Sequence, residues 1–324
     1  MRVMVTGGLG VNGAWVVREF LGRGHDVTVF ENRNDTSLIE DVAAQIEVVV
    51  GDISDAKKLT DAVTGFRPDC IIHLAAFVNC EQDPQTAISV NIGGTANVCA
   101  AAVSAGVKRV VHSSSKAVYA PATGERGFPT YKAIAEEDHL GPIGMYGITK
   151  AAAEDVMDWY GQTSDVEFVN LRFGTVFGPG RLQRHDGPIN TYSSMIELPA
   201  EGRQFTLEHG GKEGDDIVYV LDVADAIACV ALAPEPLRHK AYNVAHGRVL
   251  TMNDYAATIR RVIPNAALEV GPGLNPMNYV DPYYMALDGT RMIEEFGWRP
   301  QFDADRAVRH YYQLVKSRLE GAEA

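Results

Sequence analysis

Tyr146 and Lys150 are the two side chains whose spacing most directly indicates chemistry. They lie one helical turn apart at the start of an apolar-periodic segment that runs to about Tyr160, so a phenol and an ammonium share one face of the predicted helix. A phenol has a pKa of about 10, and a fixed positive charge beside it favours the phenolate and lowers that pKa toward neutrality. The pair could therefore exchange protons with a substrate. Taken alone, it would more often be two surface residues of an amphipathic helix.

Three consecutive hydroxyl side chains, Ser113, Ser114 and Ser115, follow a predicted fifth strand at 107–112. The carboxyl ends of parallel strands are where α/β sheets place their ligands, so a hydroxyl here could hydrogen-bond a substrate oxygen beside Tyr146. A turn made of small polar residues is the alternative, and it is hardest to set aside for Ser113.

A glycine-rich turn follows the first predicted strand and leads into an apolar helix, which is the context that a dinucleotide-binding turn requires. Gly7 permits the tight turn, Gly10 lets the backbone approach a pyrophosphate, and Gly13 allows the helix to pack closely on the strand. The free N–H groups of the first helical turn, which contains Val11 and Asn12, favour phosphate oxygens.

The end of the second predicted strand, 26–30, bears on which dinucleotide would bind. Glu31 and its neighbour Asn32 lie there, and an acidic side chain at this place can accept hydrogen bonds from the adenosine ribose while it repels a 2′-phosphate. This favours NAD. Arg33 keeps NADP open, because its guanidinium could pair with the extra phosphate. Solvated charges at the end of a strand are the plain alternative.

The ends of the third and fourth predicted strands, 46–50 and 70–74, supply further candidate cofactor contacts. Asp52 could hydrogen-bond the adenine amino group while Ile53 packs on the ring, although Asp52 could equally be a turn residue. His73 lies inside the fourth strand and is predicted to be a packed core histidine. Small residues after that strand would let the backbone pass along the cofactor's ribose, and the predicted contacts there are Leu74, Ala75 and Ala76.

Strands and helices alternate five times before Tyr146, and a sixth strand at 167–172 follows its helix. This alternation predicts an α/β fold with a doubly wound parallel sheet of the Rossmann type. The helix at 84–105 contains Asn91 and paired glycines that lower helix propensity, which indicates either close packing or a polar role for Asn91. Beyond Phe177 the alternation breaks into shorter segments.

Composition narrows the class of protein. The formal charge of −13 argues against nucleic-acid and anionic-membrane partners, since both need a basic surface. The sequence has no uninterrupted run of about eighteen apolar residues and begins without a secretory signal pattern. Its four cysteines show no CxxC pair and no metal-ligand spacing, as expected of reduced thiols in a cytoplasmic protein. These features predict a soluble intracellular enzyme that acts on a small molecule without a metal.

Motifs along nearly the whole chain resemble those of the extended short-chain dehydrogenase/reductase family, which includes the sugar-nucleotide epimerases and dehydratases. The resemblance implies a smaller C-terminal substrate-binding lobe. Residues 1–176 with about 215–245 would form the NAD(P)-binding Rossmann domain, and 177–214 with 246–324 would form the lobe. The matching stretches keep the family's order and are TGGLGVNG (6–13), Glu31, GDI (51–53), HLAA (73–76), NIGGT (91–95), SSSKAVY (113–119), YGITK (146–150), LRFGTVFGPG (171–180), VYVLDVADA (218–226) and FGWRP (296–300).

The same resemblance implies roles for the residues that carry chemistry. Tyr146 would donate or accept the proton, and Lys150 would hold the nicotinamide ribose and tune Tyr146. Ser115, with Ser114 as the fallback, would be the catalytic hydroxyl, and Asn91 falls at the family's polar helix position. Hydride transfer would then run between a carbinol carbon and the nicotinamide.

A homodimer is implied by analogy with related proteins, through the helices 84–105 and 146–161. Small residues on those helices suit close packing against a partner, although they suit packing against the sheet equally well.

Two positions depart from the pattern of the family's nucleotide-sugar members. Where those members carry an Asn and an Arg that contact the substrate's diphosphate, this sequence has Thr175 and Asp215. An anion in a pyrophosphate site is unfavourable, which favours a smaller polar substrate such as a sugar, sugar acid or lactone.

Three functions follow, in order of preference. The first is an NAD(P)-dependent dehydrogenase or reductase acting on that small substrate. The alternative is a nucleotide-sugar epimerase or dehydratase resembling UDP-glucose 4-epimerase, with tightly bound NAD that shows no net turnover. The third is a cofactor-binding regulator without catalysis, against which the intact Ser115, Tyr146 and Lys150 argue.

Overall fold

The structure, a computed structural model, describes residues 1–184, 190–278 and 283–322. Its strands are β1 (Arg2–Thr6), β2 (Asp26–Glu31), β3 (Glu47–Val50), β4 (Cys70–His73), β5 (Arg109–Ser115), β6 (Glu167–Phe173), β7 (Thr175–Phe177), β8 (Phe205–Leu207), β9 (Gly214–Asp215), β10 (Ile217–Tyr219), β11 (Ala241–Val244), β12 (Leu250–Thr251) and β13 (Leu268–Val270). Its α-helices are α1 (Val11–Gly22), α2 (Ala56–Phe66), α3 (Pro84–Ala87), α4 (Gly94–Ala105), α5 (Met145–Thr163), α6 (Thr191–Ala200), α7 (Val220–Ala231), α8 (Met252–Val262), α9 (Thr290–Phe296) and α10 (Ala304–Ala322).

Seven of the strands form one parallel sheet in the order β11-β6-β5-β4-β1-β2-β3. The chain therefore leaves β1 in one direction through β2 and β3 and then returns to β1's other side with β4. A crevice forms at such a reversal, outside the carboxyl ends of the strands, and is where doubly wound sheets bind ligands. The predicted Rossmann-type sheet is confirmed.

The side-chain pattern of β1 explains how the sheet is covered on both faces. Val3 and Val5 join a buried cluster with α1 and α7, whereas Met4 points the other way and joins a cluster with α2 and α4. All residues of β4 are buried as well. Continuous apolar strands of this kind are typical of parallel sheets that lie between two layers of helices.

Two local predictions have different outcomes. Strand β5 runs to Ser115 instead of ending at His112, so the three serines belong to the strand and continue its pairing with β6. His73 is confirmed as a core residue, since it is 1% exposed and its ring nitrogens hydrogen-bond the hydroxyls of Thr6 and Thr95 at 2.8 and 3.0 Å.

A smaller mixed region follows the main sheet in sequence, as predicted. Short strands pair there as β7 with β10, β8 with β13, and β9 with β12, the last pair being antiparallel. The bounds of the two predicted domains stay a prediction. A separate buried core supports this region and includes Phe177, Tyr192, Met195, Tyr255, Ile259 and Tyr311.

The helical segment Pro84–Ala105 is irregular and apolar. A π-helical stretch, Ile88–Gly93, separates α3 from α4 and contains Asn91. Among the described helices, this segment is the one that is long and apolar enough to cross a membrane, with a mean hydropathy of 1.3. Core helices share these properties, and α4 packs against α2 and α5.

Candidate active site

Tyr146 lies in the first turn of α5, whose start is held by side chains from distant segments. The Tyr283 hydroxyl accepts hydrogen bonds from the Ile143 and Gly144 N–H groups, both at 3.2 Å. The Glu81 carboxylate accepts one from the Tyr146 N–H at 3.3 Å. A carboxylate at a helix N-terminus complements the helix dipole, so these contacts fix where α5 begins and hence where the phenol lies.

Lys150 is buried one turn further along α5. Its ammonium donates to the Ser113 carbonyl at 2.6 Å, lies 3.4 Å from the His112 Nε2, and lies 6.0 Å from the centre of the Tyr146 ring. Burial lowers the pKa of Lys150 to about 8, which places its charge change close to physiological pH. The shared helix face predicted for Tyr146 and Lys150 is present.

The pKa of Tyr146 moves opposite to the expected direction. Burial, followed by the charge of Cys80, raises the pKa of Tyr146 to about 12, while a hydrogen bond with Ser115 and the charge of Arg181 act to lower it. The prediction that Lys150 brings this pKa toward neutrality is wrong for this geometry, because the Lys150 ammonium is directed at a carbonyl and the cost of burying a phenolate dominates.

The two candidate serines have different partners. The Ser114 hydroxyl is buried and donates to the Glu154 carboxylate, which also pairs with Arg172 at 2.6 Å. The Ser115 hydroxyl accepts from the Ala117 N–H at 3.2 Å and lies close enough to Tyr146 to lower the pKa of its phenol. Ser114 is therefore committed to a structural network, and Ser115 is the serine that shares the site with Tyr146.

Asn91 connects the segment after β4 to α5. Its amide oxygen accepts from the Phe77 N–H at 2.7 Å, and its amide nitrogen donates to the Phe77 carbonyl at 2.9 Å and the Thr149 hydroxyl at 3.0 Å. Thr149 precedes Lys150 in α5. Asn91 is 3% exposed. Of the two roles predicted for it, the structure shows the polar one, because its hydrogen bonds connect the segment at Phe77 to the turn of α5 that carries Lys150.

The glycine turn fits a dinucleotide. Gly7 has a φ of 73°, and a Cβ on it would lie 2.6 Å from the Ala75 nitrogen, while a Cβ on Gly13 would lie 2.1 Å from the Gly7 oxygen. Helix α1 starts at Gly10 without a side-chain cap, and the Asn12 amide oxygen beside it is buried without a hydrogen-bond partner. Uncapped N–H groups and an orphaned amide suit phosphate and ribose groups. In the described parts of the chain, no cluster of metal-ligating side chains occurs.

The carboxylate that was predicted to select NAD lies beside this turn. Glu31 ends β2, and its side chain accepts from the Asn32 N–H at 2.8 Å. Burial raises the pKa of Glu31, against the lowering by the N–H groups of Asn32 and Leu9 and by the charges of Arg184 and Arg33. Arg33 is exposed beside it. The structure thus brings both candidate selectivity residues to one place.

The remaining predicted contacts lie at neighbouring strand ends. Asp52 accepts hydrogen bonds from Ser54 in a tight turn, so its plain alternative as a turn residue is realised. Ile53 is buried and contacts α4 next to Gly94. Ala75, with Leu74 and Ala76, follows β4 and passes over the glycine turn, where the Ala75 N–H is 3.4 Å from the Thr6 hydroxyl.

Lys116 is a site residue that the sequence analysis did not single out. Its ammonium donates to the Asp215 carboxylate, which also accepts from the Thr175 hydroxyl at 2.6 Å. Lys116 and Asp215 are 8% and 2% exposed, so this is a buried ion pair directly after Ser115. A charged residue inside the otherwise small and apolar stretch SSSKAVY is the signal that could have revealed it.

Comparisons with known proteins identify relatives of this chain. A family model described as the NAD dependent epimerase/dehydratase family matches residues 3–245. The chain is 30% identical to a UDP-glucose 4-epimerase of Mycolicibacterium smegmatis, over 99% of this chain and 100% of that protein. It is 26% identical to a dTDP-L-rhamnose 4-epimerase of Burkholderia thailandensis, over 98% of this chain and 96% of that protein. Thermus thermophilus UDP-glucose 4-epimerase in complex with NAD superposes with a TM-score of 0.82 at 28% identity, covering 98% of this chain and 99% of that one.

Proposed function

Because the chain belongs to the NAD-dependent epimerase/dehydratase family, we propose that it is a nucleotide-sugar epimerase that retains NAD while it oxidises and re-reduces one carbon of its substrate. The observation that carries this proposal is the 30% identity to a UDP-glucose 4-epimerase over essentially the full length of both chains. It favours the function that the sequence analysis placed second. Another relative is a dTDP-L-rhamnose 4-epimerase, so experiment must decide which nucleotide and which sugar this protein binds.

The chain's own residues have distinct tasks in this proposal. Bound NAD supplies reversible hydride transfer. As a phenolate, Tyr146 takes the proton of the substrate hydroxyl while that carbon becomes a carbonyl, and it returns the proton when the carbonyl is reduced. Its pKa of about 12 must therefore fall when substrate and cofactor bind, and the positive charge of oxidised NAD acts in that direction. Ser115 donates a hydrogen bond to the same oxygen. With its pKa lowered to about 8 by burial, Lys150 is still mostly charged at neutral pH and can hold ribose hydroxyls.

The first predicted domain supplies the cofactor contacts of the proposal. Gly7, Gly10 and Gly13 let the backbone and the start of α1 face the pyrophosphate, and Glu31 faces the adenosine ribose. The uncapped α1 and the unpartnered Asn12 amide support this arrangement. The flanking contacts are Val11, Asn32, Asp52, Ile53, Leu74, Ala75, Ala76 and Asn91.

A second candidate function has its own supporting observation. Asp215 occupies the position at which a cation would meet a diphosphate in the family's nucleotide-sugar members. Its pairing with Lys116 removes the repulsion of an anion but leaves this position without a cation for a diphosphate. This arrangement favours a small polar substrate and a net NAD-dependent dehydrogenation of a sugar, sugar acid or lactone.

One assay separates the two candidates. The purified protein is incubated with UDP-glucose, with dTDP sugars, and with a panel of free sugars, uronates and polyols, and both products and NADH are measured. Interconversion of a nucleotide sugar without accumulation of NADH supports the epimerase. Stoichiometric NADH from a free sugar or sugar acid, with no change in the nucleotide sugars, rejects the epimerase in favour of the dehydrogenase.

We also propose a homodimer formed by the surface of the helical segment Pro84–Ala105 and α5. Four large apolar side chains of these two helical segments are 37–59% exposed in the single chain, and exposed apolar side chains of this size suit an interface. They are Ile88, Val103, Ile148 and Trp159.

A further inference from the structure

Arg181 is a buried cation for which the described part of the chain shows no hydrogen-bond or ion-pair partner. It is 7% exposed, its Nε is buried without a hydrogen-bond partner, and within residues 1–184, 190–278 and 283–322 no carboxylate forms an ion pair with it. Two other buried arginines, in contrast, form ion pairs, Arg109 with Glu167 and Arg172 with Glu154. Burying a guanidinium without a counter-charge lowers the stability of the folded state, so we expect Arg181 to be paired with an anionic ligand when the protein functions.

The segment that carries Arg181, residues 179–184 and here called the bridging loop, is anchored on both sides. Gly180 has a φ of 93°, and a Cβ there would lie 3.2 Å from the Leu38 side chain. The Trp15 indole donates to the Pro179 carbonyl at 3.4 Å. Arg184 pairs with the Asp35 carboxylate. These contacts hold the loop against α1 and the segment after β2.

Arg181 lies close enough to Tyr146 for their charges to affect each other. The charge of Arg181 lowers the pKa of Tyr146, and Tyr311 and Tyr146 in turn act to raise the pKa of Arg181, which burial lowers to about 10. Tyr311 already donates its proton to the Glu197 carboxylate at 2.6 Å. The groups whose charges act on Arg181 are therefore the phenols of Tyr311 and Tyr146, and none of the described carboxylates forms an ion pair with it.

We propose that Arg181 binds an anionic oxygen group of the substrate, a phosphate or a carboxylate, close to the carbon that reacts. A guanidinium presents several N–H donors in a planar fork that matches such a group. The inference rests on the proposed function, since it places the anion in the same cleft as Tyr146. For a nucleotide sugar the anion is the diphosphate, and for a sugar acid it is the carboxylate. Arg181 then takes over the task that Asp215, paired with Lys116, cannot perform.

The test compares Arg181→Gln and Arg181→Lys with Arg203→Gln, which changes an exposed arginine that pairs with the nearby Glu201. UDP and D-glucuronate are titrated into the NAD-saturated proteins by calorimetry. We expect R181Q to weaken one of these two probes by at least about tenfold, R181K to weaken it less, and R203Q to leave it unchanged. The probe that is weakened identifies the source of the anion. Unchanged affinity for both, or a loss of NAD affinity alone, overturns the inference.

Thermal unfolding of the ligand-free variants gives a second readout that a structural role would not produce. Removing an uncompensated buried charge relieves a cost, so R181Q should melt at a higher temperature than wild type while gaining less from added UDP or D-glucuronate. A lower melting temperature would show that Arg181 has a structural partner and would overturn the inference.

The inference and the proposed function fail separately. If wild type interconverts nucleotide sugars but R181Q binds both probes as wild type does, the inference is wrong and the function stands. If wild type leaves nucleotide sugars unchanged but R181Q loses affinity for D-glucuronate, the function is wrong and the inference stands.

Discussion

Thr175 donates a hydrogen bond to the Asp215 carboxylate at 2.6 Å, so the two positions that depart from the nucleotide-sugar pattern contact each other. Lys116 completes the cluster by pairing with the same carboxylate. Asp215 therefore forms part of a neutral, buried cluster beside Ser115 and is not a bare anion facing the substrate. The electrostatic objection to an anionic substrate is weaker than the sequence alone indicated, because Lys116 compensates the charge.

Breaking this ion pair from one side should destabilise the protein. Lys116→Ala and Asp215→Ala each leave a buried charge without its partner, and we expect each to lower the free energy of unfolding by about 3–5 kcal/mol. The double variant should lose clearly less than the sum of the two, because neither charge is left alone. Urea denaturation of the four proteins measures this coupling. Additive losses would contradict the pairing.

Replacing Tyr146 with phenylalanine should remove the proton-transfer group and little else. We expect Tyr146→Phe to lower kcat by at least about 100-fold while NAD affinity changes little, because the ring and the cofactor contacts remain. Tyr160→Phe on the same helix is the matched control, since that ring packs against Trp159 and Phe168 and is not among the candidate site residues. Near wild-type turnover in the Tyr146 variant would reject its assigned role.

The features that the sequence predicted are those encoded locally. The alternation of apolar strands and helices determines the sheet. Glycine is required locally in the first turn, because a Cβ on Gly13 would lie 2.1 Å from the Gly7 oxygen. Tyr146 and Lys150 share a face because helical periodicity places them there. Each of these depends on neighbours within a few residues, so the printed sequence contains the whole signal.

The features that the sequence did not predict depend on packing between distant segments. Lys116 and Asp215 are 99 residues apart in the chain, and no local pattern links them. The buried Arg181 is recognisable only once its surroundings are known. The direction of the Tyr146 pKa was wrong for the same reason, because the cost of burial depends on tertiary contacts that the spacing to Lys150 does not reveal.

Stability should fall as the pH rises because of Asp216. Burial, only partly offset by N–H groups of His246, Leu287 and Gly247, raises the pKa of Asp216 from 3.8 to about 7. The folded state therefore binds more protons than the unfolded state between these values, so Asp216 contributes most stability below pH 4 and loses it as the pH passes 7. The loss amounts to at most about 4 kcal/mol.

The comparison of wild type with Asp216→Asn isolates this effect. We expect the difference in free energy of unfolding between the two proteins to shift in favour of the variant between pH 5 and pH 8, as measured by urea denaturation at both. An identical pH dependence for the two proteins would show that Asp216 does not titrate in this range.

A charge on the proposed dimer surface should separate the subunits. Trp159 is 59% exposed and Ile148 is 43% exposed on α5, so Trp159→Glu introduces a charge into the contact without disturbing the core. We expect sedimentation to report monomers for this variant. Leu274→Glu, which changes an exposed leucine outside both helices, is the control and should leave the oligomeric state unchanged. A Trp159→Glu variant that sediments as wild type does would contradict the interface.

Release of NAD should depend on the pair between Arg184 and Asp35. Arg184 donates to the Asp35 carboxylate and to the Ser37 hydroxyl at 3.0 Å, which ties the bridging loop to the segment after β2 at the edge of the cofactor site. We expect Arg184→Gln to speed NAD release several-fold, because the loop can then open without breaking an ion pair.

The pair is solvent-accessible, so high salt should speed release from wild type more than from the variant. Displacement of bound NADH followed by fluorescence measures both rates, with Arg203→Gln as the control. Equal rates of NAD release from all three proteins would show that the loop does not limit release. Slow release from wild type and from the control is what an epimerase that retains its cofactor requires.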